Sequence, residues 1–196
     1  MGKALLLTAL FSGFASAHGF DGFYLGAGLG STDYDDGGVF NDDELPLSTD
    51  TKGSTVKLIA GYQINRVLGV EAQYTRYGET SVQIAKQKAA DIRHRSFTIS
   101  ASLGHSFDNG VRPFATLGIG SIEYTLKNRI YPQESRDESG TTVRLGAGLE
   151  YTPYVVKGFT IRASYEADYF VLEDKWANRD YDQSMGSWYL GTAYKF

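Results

Sequence analysis

The chain of 196 residues contains no cysteine, which excludes disulfides, cysteine-ligated metal centres and thiol nucleophiles. It has only 4 prolines. No uncharged apolar run approaches the roughly 18 residues that a membrane-spanning helix needs, so helical insertion is excluded. A closed β-barrel is not, because its strands alternate and keep mean hydropathy low; here the value is −0.28. Basic charge is also scarce, with 19 Lys and Arg against 23 Asp and Glu, and this acidic balance argues against a nucleic-acid partner. The length fits a single domain.

At the start of the chain, Lys3 precedes the apolar stretch Ala4 to Phe11, and a small-residue segment ends in Ala15-Ser16-Ala17. This is the order of a secretory signal peptide over residues 1–17, with cleavage expected after Ala17, before His18. The absence of a cysteine after that site excludes a lipoprotein. Residues 18–196 form the expected mature domain.

That domain reads with a period of two in eight segments of roughly 10 to 14 residues, which is strand and not helix periodicity. The clearest segment sets Val143, Leu145, Ala147, Leu149 and Tyr151 against Thr142, Arg144, Gly146, Gly148 and Glu150. Another sets Phe97, Ile99, Ala101 and Leu103 against Ser96, Thr98, Ser100, Ser102 and Gly104. In the fifth segment the apolar phase shifts from Ala115, Leu117 and Ile119 to Ile122, Tyr124 and Leu126, which predicts a β-bulge near Ser121. The polar face is dominated by Gly and Ser, where a soluble sandwich would show Lys, Glu and Thr to water. Small residues at period two suit the cramped interior of an eight-stranded barrel.

Connections alternate in length. Those over 34–53, 78–92, 127–140 and 173–183 are long and polar, whereas Asn65-Arg66, Asp108-Asn109-Gly110 and 152–158 are short. The expected fold class is therefore all-β, an eight-stranded antiparallel transmembrane β-barrel of outer-membrane type with both termini in the periplasm. Parity then directs aromatic residues outward in two belts. Phe23, Tyr62, Phe107, Tyr151, Phe159, Tyr194 and Phe196 make the periplasmic one, and Tyr74, Phe97, Tyr124, Tyr169 and Trp188 the extracellular one.

Four stretches carry a family likeness: Phe23 to Gly30, Arg112 to Gly120, Leu145 to Tyr151, and Trp188 to Phe196. With them the chain resembles the small eight-stranded outer membrane barrels that include the OmpA membrane domain, OmpX and virulence-associated barrels, among them accessory colonisation factors. The resemblance spans the mature chain. It implies a monomer in the cell outer membrane of a Gram-negative bacterium, with no peptidoglycan-binding domain behind the barrel. It also implies that Tyr194 and Phe196 form the C-terminal signal read by the barrel assembly machinery.

Inward parity collects eight charges, Lys57, Glu71, Arg144, Glu150, Arg162, Glu166, Asp168 and Lys195, with the two signs balanced. Balance inside a narrow barrel points to a sealing ion-pair network, because an unpaired buried ion is costly; a pore lining is the alternative. Arg76, Arg93 and Arg95 fall outward at the extracellular rim of one hairpin, where guanidinium groups match the phosphates of lipopolysaccharide. His94 and Ser96 resemble the His-x-Ser pair of lipid A deacylase barrels, but parity turns both inward and no acid partner is identifiable. His105 reads as an interface residue. No catalytic residue, metal site or cofactor is expected. The Gly-x-Gly stretches 26–28, 118–120 and 146–148 lie within strands and lack the strand-turn-helix setting of a nucleotide loop. The acidic first loop, with Asp35, Asp36, Asp42, Asp43, Glu44 and Asp50 against Lys52, does not follow EF-hand spacing and reads as solvated. The expected function is non-enzymatic: surface contact with a host or environmental ligand through the long loops, in adhesion, colonisation or envelope integrity. A small ion or solute channel is the first rival and a lipid A-modifying enzyme the second.

Overall fold

The computed structural model describes residues 21–35, 47–84, 87–128, 136–174 and 179–196. The signal segment 1–17 and the loop residues Asp36, Asp42, Asp43 and Glu44 lie outside the described residues. Strands form where apolar and small residues alternate: β1 (Gly22–Gly30), β2 (Asp33–Asp35), β3 (Leu47–Lys52), β4 (Thr55–Gln63), β5 (Leu68–Arg76), β6 (Glu79–Ile84), β7 (Gln87–Gly104), β8 (Val111–Asn128), β9 (Arg136–Tyr151), β10 (Phe159–Asp174) and β11 (Arg179–Lys195).

β2 follows β1, β3 runs on into β4, and β5 runs on into β6, so these segments make eight staves. All neighbours are antiparallel, in the cyclic order β1, β4, β5, β7, β8, β9, β10, β11 and back to β1. Closure leaves these staves no unpaired edge, which is what hydrocarbon demands of a spanning sheet.

Burial is inverted relative to a soluble domain. Leu29, Leu58, Ile99, Leu117, Ile119, Leu149 and Leu190 are exposed on the outer wall, while Lys57, Glu71, Gln73, Arg144, Glu166 and Asp168 have 0% exposure inside. Only a lipid solvent makes that arrangement favourable. Glycines thin the wall where it presses hardest: a Cβ on Gly120 would meet the Phe97 carbonyl oxygen at 2.0 Å.

Three sequence expectations are corrected. The bulge near Ser121 is absent, for β8 keeps one register with β7 from Phe114 to Asn128 and one with β9 from Val111 to Leu126. The apolar phase shifts there because the lumen itself turns apolar: Ile122 is 1% exposed and packs inside with Tyr77, Phe170 and Met185. Tyr124 shares that inward parity and sits beside His94, ring centroids 6.4 Å apart, so it leaves the outer belt. The third correction concerns the long connections, much of whose length is paired strand. β3 pairs with β6, β6 with the start of β7, and β10 with β11 as far as Asp174 and Arg179. Polar residues occur in these ladders because they stand beyond the apolar band. Among the described residues the sheet shifts register here, between Val82 and Gln83.

Candidate functional site

The lumen is filled by an apolar cap over an ionic layer. Nearest the long loops is an apolar cap of Tyr77, Ile122, Phe170 and Met185, with Tyr34 packed against it. His94 belongs to this level, its ring within 5.3 Å of Tyr34 and 6.2 Å of Phe170.

Beneath lies the ionic layer. Arg144 holds Asp168 through two nitrogens, Nε to Oδ1 at 2.7 Å and Nη2 to Oδ2 at 2.6 Å. Tyr77 donates its hydroxyl to the same carboxylate at 2.7 Å. Lys57 donates to Glu166 at 2.7 Å, and Arg144 stands 3.7 Å from Glu166. Gln73 joins the halves: its carbonyl accepts from Arg144 at 2.7 Å and its amide donates to Glu71 at 2.7 Å. Glu71 is clamped by both Nη nitrogens of Arg162 and accepts from the Tyr24 hydroxyl at 2.5 Å. Arg162 also reaches Glu150 at 2.8 Å through Nε, and Arg112 donates to the other oxygen of Glu150 at 2.9 Å.

The chain of contacts thus runs unbroken from Arg112 to Tyr77, with Arg112, Arg162, Lys57 and Arg144 facing Glu150, Glu71, Glu166 and Asp168. Several desolvated ions in one narrow space are tolerable only when each charge meets its opposite with good geometry. Aromatic faces complete the solvation, with Lys57 4.6 Å from the Tyr189 ring and Arg162 4.7 Å from Phe114.

Tyr24, Ile59 and Tyr189 form a second buried cluster against these ions, with the Tyr24 hydroxyl on Glu71 and the Tyr189 hydroxyl on Glu166, and at its short-turn end the barrel opens into a cavity of about 660 Å³. Tyr154, Lys157, Lys195 and Arg112 are among the residues that line it. The structure therefore connects Lys57, Glu71, Arg144, Glu150, Arg162, Glu166 and Asp168, and sets Lys195 in the wall of the mouth. Sequence reasoning left Arg112 out of the inward charges, naming it only at the start of a stretch that carries the family likeness. Its even parity with Phe114 and Thr116 was the signal that it points inward.

The three outward arginines separate into two environments. Arg76 and Arg95 are directly paired across β5 and β7, one step beyond the paired Tyr74 and Phe97, and both are exposed. Arg93 is half-exposed and ion-paired with Glu79 at 3.2 Å. Ser96 faces inward and accepts from Arg144 at 2.8 Å, so its hydroxyl is held by a cation and not by His94. The Nδ1 of His94 finds no hydrogen-bond partner among the described residues. His105 lies at the short-turn end, edge-on to Phe107 at 4.9 Å. Tyr194 and Phe196 meet edge-on at 5.3 Å, and Phe196 stacks with Phe23 at 6.0 Å on the outer wall. Among the described residues no group of carboxylates and histidines could hold a metal ion.

A family model described as outer membrane protein beta-barrel domain matches residues 4–196. Among solved structures, Neisserial surface protein A aligns with a TM-score of 0.61 at 20% identity, over 89% of this chain and 97% of its own. Ail, the attachment invasion locus protein of Yersinia pestis, aligns with a TM-score of 0.54 at 22% identity, over 90% and 99%. The N-terminal barrel domain of Pseudomonas aeruginosa OprF gives 0.50 at 17% identity, over 89% and 98%. At such identities the likeness concerns the fold. A comparison with curated proteins gives no match.

Proposed function

The chain belongs to the outer membrane protein β-barrel family, and from that premise we propose that it is a non-enzymatic surface protein working through its long-loop end, in adhesion, colonisation or envelope integrity. One observation carries the reading: the lumen is packed with fully buried, mutually paired charges beneath an apolar cap. A wall so filled is a rigid support, and rigid supports place recognition in their loops. The same packing weighs against a channel, and the inward position of Ser96 weighs against lipid A chemistry. The test replaces the segments 36–46, 129–135 and 175–178 one at a time with short turns. Loss of cell attachment to epithelial or abiotic surfaces, with heat-modifiable gel migration unchanged, is the expected result; full attachment by all three variants would overturn it.

The same reading gives the outer rim its role. Two like charges in direct cross-strand register repel, and an anion between them relieves the repulsion. Arg76 and Arg95, above the belt of Tyr74 and Phe97, are suited to a lipopolysaccharide phosphate. Residues 1–17 act as the cleaved signal peptide, and Tyr194 with Phe196 as the signal for the assembly machinery.

A further inference from the structure

Short turns of a transmembrane barrel are expected to be polar, and the turn at Asp108-Asn109-Gly110 is: the Asn109 side chain accepts from the Val111 amide at 3.1 Å. The turn joining β9 and β10 is the opposite. Its centre is Tyr154-Val155-Val156, with exposures of 70, 94 and 51%. It is held firmly in this shape. Thr152 donates to the Gly110 carbonyl at 2.9 Å, Phe159 to the Val156 carbonyl at 3.2 Å, and Lys195 to the Gly158 carbonyl at 2.8 Å. Gly158 supplies the left-handed backbone, φ +77°, that brings the chain back to β10.

Height in the membrane explains the exposed valines. An apolar band of about 25 Å, crossed by strands rising ~3.4 Å per residue at ~40° of tilt, takes about ten residues. Counting about that many from the upper aromatic residues Phe97 on β7 and Tyr169 on β10 lands on Phe107 and Phe159, at the turns themselves, and from Tyr74 the turn is reached sooner, because β5 begins at Leu68. The turns therefore begin at the lipid boundary and not beyond it. Tyr154 and Lys157 line the mouth cavity, whereas Val155 and Val156 do not. The valines continue the apolar wall below Tyr151, Tyr194 and Phe196, which are themselves exposed.

We infer that the turn 152–158 is a lipid anchor, with Val155 and Val156 immersed in the acyl and headgroup boundary of the adjoining leaflet. The occupant is phospholipid, and the neighbouring Lys157 is within reach of its phosphate layer. This anchor fixes the depth of the barrel at the end opposite the loops. The inference rests on the chain being a membrane barrel and not on the loop reading, so it is tested with no partner present.

The chain has no cysteine, so Val155→Cys, Val156→Cys and Asn109→Cys each carry one environment-sensitive fluorophore. The barrels are reconstituted in phosphatidylethanolamine and phosphatidylglycerol vesicles, with folding checked by heat-modifiable migration. Labels at 155 and 156 are expected to emit further to the blue than the label at 109 and to be quenched several-fold more by brominated acyl chains. Equal quenching of all three positions by aqueous iodide, with no effect of brominated lipid, would overturn the anchor and leave the surface to a periplasmic protein.

Discussion

Arg144 grips Asp168 from the adjacent strand with two parallel hydrogen bonds, and neither side chain reaches solvent. The pair sits at the centre of the lumen, between the apolar cap and the rest of the ionic layer. Its removal should be asymmetric. Arg144→Met strands a carboxylate in a dry interior and should lower stability by about 3–5 kcal/mol, whereas Arg144→Met with Asp168→Leu should recover most of that loss. Urea unfolding in detergent micelles, followed by gel mobility, measures both.

The wall glycines are steric requirements. Gly120→Ala brings a methyl group against the Phe97 carbonyl, a backbone atom that cannot swing aside. A loss of about 1–3 kcal/mol and slower refolding into micelles are expected from such overpacking. Refolding yield and the urea midpoint check this. Gly53→Ala makes a contrasting control, since steric room exists there and only its φ of +103° is strained.

Charge reversal should distinguish the outward arginines. Arg76→Glu with Arg95→Glu should reduce binding of lipopolysaccharide several-fold in a co-purification assay at low salt. Arg93→Glu should do less, because Arg93 already has Glu79 at 3.2 Å. The difference should narrow as salt is raised, since exposed charges are screened over about 8 Å at physiological ionic strength.

The cap and the ionic layer should act as separate seals. Phe170→Ala with Met185→Ala empties the apolar cap and should cost several kcal/mol, about 2–5 for each large-to-small change. The same variant should still pass no current, because the charges beneath it remain paired. Thermal unfolding and planar-bilayer recordings on one preparation test the two halves of the statement.

The barrel was legible because strand parity is a strict rule: once Leu145 is outside, Arg144 must be inside. The same rule placed Glu71, Arg162, Glu166 and Asp168 in the lumen. Which of them pair was not legible, since barrel shear brings Lys57 to Glu166, 109 positions away in sequence, and no local pattern encodes that approach. The apolar cap was misread for a related reason. Hydrophobicity was taken to mark the outer face, and where the lumen itself becomes apolar at Ile122 the rule reports a false bulge. Arg112 shows an omission, a charge left out of the inward set although its parity with Phe114 pointed inward. The long ladders of β3 with β6 were hidden because their polar residues carry no contrast between faces once the strands leave the apolar band.

The central claim is that this barrel is sealed and that its work is done outside it. Single-channel recording of the refolded chain, without residues 1–17, in a planar bilayer tests it most directly. The account predicts silence across applied voltages. Reproducible conductance steps whose size changes with Glu71→Gln or Arg162→Met would contradict it and make transport through the lumen the function.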